Sequence, residues 1–247
     1  MNAISIGSIG SILKRDGFAV LTAVLCENEV CALVDAVAKA SPSGDGVMRS
    51  TDRYAIRRVM QEIPALQDLV WNARLTDIVH ELLGAGAFVT KSIWFEKPPG
   101  GNWFVGWHQD ISISVSHRLE VPGYSRWTSK HGVIGVVPPV SVLQRTLTVR
   151  IHLDDADSDN GAVRVLPGSH LQGIVAAQVD DERAVTCAVP RGGVMLMSPL
   201  LLHASSRSVT DRPRRVLHIE LNDLDLDRGL SWAERMDIPR ASHQGLM

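Results

Sequence analysis

From residue 88 onward the chain alternates, and that pattern limits what it can fold into. Residues 88–97 (FVTKSIWFEK) place Val89, Lys91, Ile93 and Phe95 on one face of a strand and Thr90, Ser92, Trp94 and Glu96 on the other. Residues 146–153 repeat it, with Thr146, Thr148, Arg150 and His152 opposite Leu147, Val149, Ile151 and Leu153. Further short strands fall near 162–166, 184–189, 193–197 and 214–221, with Gly/Pro turns such as Lys97-Pro98-Pro99-Gly100-Gly101 between strands. Many short runs of period two confine this part of the chain to a sandwich or barrel.

Ahead of it the period is helical. Residues 27–40 carry Val30, Leu33, Val34 and Val37 at helical spacing, with acids first and Lys39 late. Residues 63–84 read as two short helices, the second ending at Gly84, and 15–21 as a turn followed by a short strand. The expectation is one domain over 1–247, with a helical part at about 1–86 packed on one sheet of a β core at about 87–222. One stretch, 114–141, has no clear period and is broken by Pro122, Pro138 and Pro139, yet carries Tyr124, Trp127 and Val136. It reads as a lid loop over a site.

Composition excludes several classes of function. A net charge of −2 leaves no basic footprint for nucleic acid and argues against an anionic membrane surface. No apolar run approaches the roughly 18 residues of a membrane span, and no basic stretch precedes an apolar one at the start of the chain. Cys26, Cys31 and Cys187 form no C-x-x-C pair and leave an odd count, so the expected compartment is the cytoplasm. The expected partner is a small-molecule substrate; nothing in the sequence indicates an oligomeric state.

Candidate chemistry starts at Gly106-Trp107-His108-Gln109-Asp110-Ile111. In a strand over 104–112, His108 and Asp110 point to one face, and a second histidine would complete a 2-His-1-carboxylate metal site. His203 ends the apolar run Pro199-Leu200-Leu201-Leu202 and is either a hydrogen-bonded core histidine or that third ligand. Downstream, Arg212, Arg214 and Arg215 lead into a strand with Arg214, Val216 and His218 on one face and Arg215, Leu217, Ile219 and Leu221 on the other. Either a guanidinium enters the barrel to grip a carboxylate, or these arginines decorate a solvated edge. Lys91 poses the same choice, since a buried ammonium needs an anion. Thr148, Arg150 and His152 are further candidates on inward faces. Trp103 and Trp127 are candidates for the mouth, and Arg57 and Arg58 have no readable face.

Four stretches then carry a resemblance. They are Asp16-Gly17-Phe18-Ala19-Val20-Leu21; Lys97-Pro98-Pro99 leading to Trp107-His108-Gln109-Asp110; Asn160-Gly161-Ala162-Val163-Arg164-Val165-Leu166-Pro167-Gly168-Ser169-His170; and His203-Ala204-Ser205 followed by Asp211-Arg212-Pro213-Arg214-Arg215. In this order they resemble the phytanoyl-CoA dioxygenase family, Fe(II)- and 2-oxoglutarate-dependent oxygenases of double-stranded β-helix (jelly-roll, cupin-like) fold. The resemblance implies that His108, Asp110 and His203 bind Fe(II). It implies that Arg214, eleven residues after His203, and Ser205 hold the distal carboxylate of 2-oxoglutarate, and that His170 is structural. Lys91, Thr148 and Arg150 are further candidates for co-substrate contacts. Arg150 departs from the family pattern, because the phytanoyl-CoA enzyme itself has a tryptophan there. The 114–141 stretch does not match that enzyme, so its substrate does not carry over. The implied reaction uses O2, yields succinate and CO2, and hydroxylates a small molecule. Related halogenases have a small residue where this chain has Asp110, so the carboxylate makes hydroxylation the default. Desaturation, epoxidation or cyclisation by the same oxidant, or a cupin-like metalloenzyme or sensor without 2-oxoglutarate, are the alternatives.

Overall fold

The computed structural model describes residues 6–40, 47–49, 54–97, 104–130, 132–176 and 179–239. The N-terminal part holds α1 (Ile6–Asp16), β1 (Phe18–Leu21), α2 (Glu27–Lys39), β2 (Val47–Arg49), β3 (Tyr54–Arg57), α3 (Val59–Glu62), α4 (Ala65–Val70) and α5 (Ala73–Leu83). Next come β4 (Phe88–Lys97), β5 (Val105–His108), β6 (Ile113–Val115), β7 (Ser125–Lys130), β8 (Val133–Val137) and α6 (Val140–Gln144). The chain continues through β9 (Leu147–His152), β10 (Val163–Val165), β11 (Val185–Thr186), β12 (Val194–Met197), β13 (His203–Ser205), β14 (Arg214–Asn222) and β15 (Met236–Asp237). The larger sheet runs β1-β12-β9-β14-β4-β3-β2 with β15 added to β4, and a smaller one runs β11-β10-β13-β5. Residues of both sheets line one cavity. The fold is mainly β, a double-stranded β-helix with helices against one sheet.

The helices sit where the outward faces of the strands need cover. Val30, Leu33 and Val37 of α2, Leu66 and Val70 of α4, and Leu75, Ile78 and Val79 of α5 form one core with Val149 and Ile151 of β9, Val194 and Leu196 of β12, and Leu217, Ile219 and Leu221 of β14. Burying one such aliphatic side chain is worth about 1.5–3 kcal/mol, so this layer fixes the sheet from behind and leaves its inner face to polar groups. Local signals start the helices. The Cys26 N–H donates to Glu29 Oε2 at 2.7 Å ahead of α2, and Asn72 Oδ1 accepts the Leu75 N–H at 2.9 Å ahead of α5.

Three expectations need correction. Besides the short strand expected near 18–21, which is β1 and pairs with β12, the first 86 residues hold two strands that were not expected, β2 and β3, which extend the large sheet beyond β4. The alternation of β4 breaks at Thr90. Lys91 lies opposite Glu220 and Val89 opposite Leu221, so Thr90 is the extra residue of a bulge. Val89 therefore joins Trp94 in the helix-side core and does not share a face with Lys91. Third, most of 114–141 is ordered structure, a sheet in the order β6-β8-β7. Ile113, Val115, Tyr124 and Val136 pack with Leu226, Leu230 and Trp232 in a separate core, with Trp127 and Ile134 against it. The returning C-terminal segment ties this sheet down: Ser116 N–H donates to Ser231 O at 3.0 Å and Ala233 N–H to Ser114 O at 3.1 Å. Trp103, His131, His243 and the turn at 98–101 lie outside the described residues.

Candidate metal and co-substrate site

β5 stops at His108, so Asp110 is not on the strand expected over 104–112. Loop bonds place it instead. Asp110 N–H donates to Pro199 O at 2.9 Å. Gln109 Nε2 donates to Gly173 O at 2.8 Å and Leu200 O at 2.6 Å, and Gln109 Oε1 accepts the Val175 N–H at 3.0 Å. One amide thus binds the triad loop to two other segments. β13 pairs with β5 in the register His203 opposite His108, which brings the two ring centroids to 4.1 Å. His108 Nε2 lies 3.7 Å from Asp110 Oδ1, and His203 Nε2 lies 3.5 Å from Asp110 Oδ2.

The orientation of both rings follows from their other nitrogen. Nδ1 faces a backbone carbonyl two residues upstream, Gly106 O for His108 and Leu201 O for His203, at 2.9 Å in each case. A carbonyl only accepts, so Nδ1 carries the proton and the Nε2 lone pair points at the carboxylate. Burial holds the His203 imidazole down to about 4, against the pull of Asp110, so it is neutral at pH 7 as a ligand must be. Burial alone would raise the Asp110 carboxyl. His203, His218, His108 and Lys91 outweigh it and hold the group well below the usual carboxylate range. Two imidazoles and one carboxylate with donor atoms within 4.8 Å of one another fit a divalent iron.

A second set of groups fits a dicarboxylate. Arg214 is 7% exposed at the start of β14, and its inward face continues through Val216, His218 and Glu220. Its guanidinium donates to Gly161 O and lies 3.4 Å from Ser205 Oγ. Ser205 Oγ in turn donates to Gly161 O at 2.8 Å. Gly161 makes this convergence possible. Its φ is +75°, and a Cβ there would lie 2.4 Å from Ser206 O. The Asn-Gly motif thus places one carbonyl that orients both side chains. Arg150 reaches the same cavity and lies 3.1 Å from His218 Nδ1. Burial pushes the Arg214 guanidinium down to about 10, with Arg150 adding to the effect, and burial lowers Arg150 too. Neither is hydrogen-bonded to a carboxylate, and the Nε of each is buried without a partner among the described residues. One buried and one half-buried cation of this kind fit the dianion 2-oxoglutarate.

The remaining candidates separate. Lys91 does point into the cavity, but its anion is Glu220, with Nζ at 2.7 Å from Oε1 and 2.9 Å from Oε2. Its third bond goes to Ser112 O at 2.8 Å, so Lys91, a candidate for a co-substrate contact, ties β14 to the chain after Asp110. Asp110, His218 and Glu220 form a second cluster of possible ligands. With Lys91 on both Glu220 oxygens, the cation of that cluster is the chain's own. Thr148 is fully buried opposite Glu220 and, like His152, is not among the cavity-lining residues. His170 packs beside Gly17 with Nε2 3.3 Å from Lys14 O, away from the cavity. Gln109 and Glu220 were missed as site residues. Glu220 lies two residues beyond His218, on the face that the alternation gives to Arg214, Val216 and His218. Arg57, which had no readable face, lines the cavity from β3.

The family model described as "Phytanoyl-CoA dioxygenase (PhyH)" matches residues 13–216. Ectoine dioxygenase of Bordetella parapertussis is 26% identical over 167 residues, 64% of this chain and 47% of that protein. Ectoine dioxygenase of Sphingopyxis alaskensis is 24% identical over 164 residues, 63% of this chain and 47% of that protein. The chain spans about half the length of these curated relatives. EctD from S. alaskensis, solved with 2-oxoglutarate and 5-hydroxyectoine, superposes with a TM-score of 0.68 at 23% identity, covering 89% of this chain and 76% of that one. EvdO2 from Micromonospora carbonacea, complexed with 2-oxoglutarate, gives a TM-score of 0.64 at 21% identity over 93% and 92% of the two chains.

Proposed function

The chain belongs to the phytanoyl-CoA dioxygenase family, and on that premise we propose that it is a single-domain Fe(II)- and 2-oxoglutarate-dependent dioxygenase. We infer further that it hydroxylates an unactivated C–H bond of a small-molecule metabolite or natural-product intermediate, releasing succinate and CO2. The observation that carries this reading is the pairing of two sets: Nε2 lone pairs of His108 and His203 aimed at Asp110, and on the same cavity the buried guanidinium of Arg214 and the half-buried one of Arg150, neither bonded to a carboxylate among the described residues. His108, Asp110 and His203 hold the iron. Arg214 and Ser205 hold the distal carboxylate of the co-substrate. The bound iron and 2-oxoglutarate together supply the oxidising power drawn from O2. Arg150 adds a second positive charge beside His218, toward co-substrate or substrate. The β6–β8 sheet acts as the lid, covering the mouth and limiting water. The three cysteines are free, as suits a reducing cytoplasm.

Succinate release, screened over candidate small molecules with Fe(II), 2-oxoglutarate and O2, tests the reading, with product mass as the second readout. Hydroxylation adds one oxygen to the substrate; desaturation or cyclisation removes two hydrogens. No substrate-stimulated succinate from iron-loaded protein across a broad set would count against the proposal.

A further inference from the structure

The charges on the cavity wall do not balance. Among the described residues, Arg57, Lys91, Lys130, Arg150 and Arg214 line it, against Asp110 and Glu220. Bound iron and a 2-oxoglutarate dianion cancel each other, so the proposed cofactors leave this excess as it stands. Lys91 is spent on Glu220, and Arg150 and Arg214 belong to the deep, co-substrate side. Arg57 on β3 and Lys130 on β7 remain. Arg57 is half-buried and Lys130 exposed, and neither has a hydrogen bond or ion pair among the described residues. A half-buried guanidinium lining a cavity without an acid is an anion contact in waiting.

The strands that carry these two cations also supply hydroxyls and an apolar surface. On β7, Trp127 packs toward the separate core while Thr128 and Lys130 face the cavity, joined by Ser112 and Ser114 from the chain around β6. Gly135 of β8 is bare by necessity, because a Cβ there would meet Thr128 Oγ1 at 2.6 Å and Ser112 Oγ at 2.9 Å. The absent side chain lets both hydroxyls close over the strand. Ile93, Phe95, Ile111 and Val133 add an apolar lining to the same cavity.

Resting on the dioxygenase reading above, we propose that the substrate is an amphiphilic acid. Its carboxylate or phosphate binds Arg57 and Lys130 with help from the neighbouring hydroxyls, and its apolar body runs toward the iron. The oxidised C–H bond then lies several bonds from the anionic group.

The test uses the full chain loaded anaerobically with Fe(II) and saturating 2-oxoglutarate, so that a probe acid cannot simply occupy the co-substrate site. Two matched pairs are titrated by calorimetry: 4-phenylbutyrate against 4-phenylbutanol, and phenyl phosphate against phenol. At least one anion should bind about tenfold or more tightly than its neutral partner, and which pair shows the preference tells carboxylate from phosphate. The preference should fall with added salt and vanish in the Arg57→Gln/Lys130→Gln double variant. Equal binding within both pairs, a preference that survives the double variant, or no binding of either acid overturns the proposal. The visible charge-transfer band of the iron–2-oxoglutarate complex is recorded on the same wild-type sample. If the band forms and the anion preference is missing, the substrate class falls alone; if the band itself is missing, the dioxygenase reading falls with it.

Discussion

The wall made by β4, β9 and β14 and the wall made by β6–β8 line the same cavity, yet only the first belongs to the sheet that the helices cover. On the first wall the outward apolar side chains, among them Trp94, Val149, Ile151, Leu217 and Ile219, are locked into the main core, and polar inward ones form a connected row: Arg150 to His218, His218 to Glu220, Glu220 to Lys91. On the second wall the inward groups are hydroxyls, a bare glycine and a lysine, backed by a separate small core that the C-terminal segment fastens. Chemistry that needs fixed geometry sits on and beside the rigid wall. In our proposal recognition of the substrate is shared between Lys130 on the second wall and Arg57 of β3, on the edge side of the large sheet.

This division makes predictions that can break it, and the largest effect should come from the metal. Replacing Asp110 by Ala removes a ligand outright, so Co(II) affinity measured by calorimetry should fall by more than the roughly 10–100-fold typical of a mere supporting contact. Arg214→Ala should weaken 2-oxoglutarate binding by about 2–5 kcal/mol, the cost of leaving one member of a buried charge pair alone, while Co(II) affinity stays near wild type. Normal 2-oxoglutarate binding by that variant would remove Arg214 from the site.

The second wall should fail on its own. Trp232→Ala deletes a side chain worth about 3–5 kcal/mol of packing, most of it in the small core. Hydrogen exchange should then rise across β6–β8 while β9 and β14 keep their protection. Parallel loss in both would mean that the two walls form one cooperative unit. The smallest effect concerns the seam between them. Glu234, on the returning C-terminal segment, accepts Ser92 N–H at 2.9 Å and Ser92 Oγ–H at 3.0 Å, and burial pushes its carboxyl up to about 7 from an ordinary 4.5. The native state therefore keeps a proton that the unfolded chain releases earlier. The stability this contributes is full below about 4.5 and is lost as the pH rises through about 7. Urea melts at pH 5 and pH 8 should show the wild type losing more stability than Glu234→Gln, whose amide oxygen can still accept from Ser92.

The same division explains what could be read from the sequence. The rigid wall announces itself because one face must be apolar: Leu147, Val149, Ile151 and Leu153 alternate with polar residues, and the face they define packs into the helix-side core. His203 and Arg214 adjoin apolar runs, but that pattern leaves each with a structural alternative, and only the resemblance to the family singles them out. The β6–β8 sheet is not legible, because β7 (SRWTSK) turns Thr128 and Lys130 to the cavity and β8 (VIGVV) shows no alternation across its glycine. Its core partners, Leu226, Leu230 and Trp232, come from about a hundred residues away, which no local pattern reports. Asp110 was placed on a strand that ends two residues earlier, since the loop bonds through Gln109 and Pro199 are long-range as well. The bulge at Thr90 moved Val89 for a reason that lies in the partner strand.

The central claim is that the His108, Asp110 and His203 set and the Arg214 and Ser205 set together hold one iron–2-oxoglutarate complex. Anaerobic titration of 2-oxoglutarate into the Fe(II)-loaded chain, followed by its visible spectrum, tests this most directly. The account predicts a weak charge-transfer band that saturates at one equivalent, requires the metal, and is lost in Asp110→Ala. A wild-type protein that binds Fe(II) and yet develops no band with 2-oxoglutarate would contradict it.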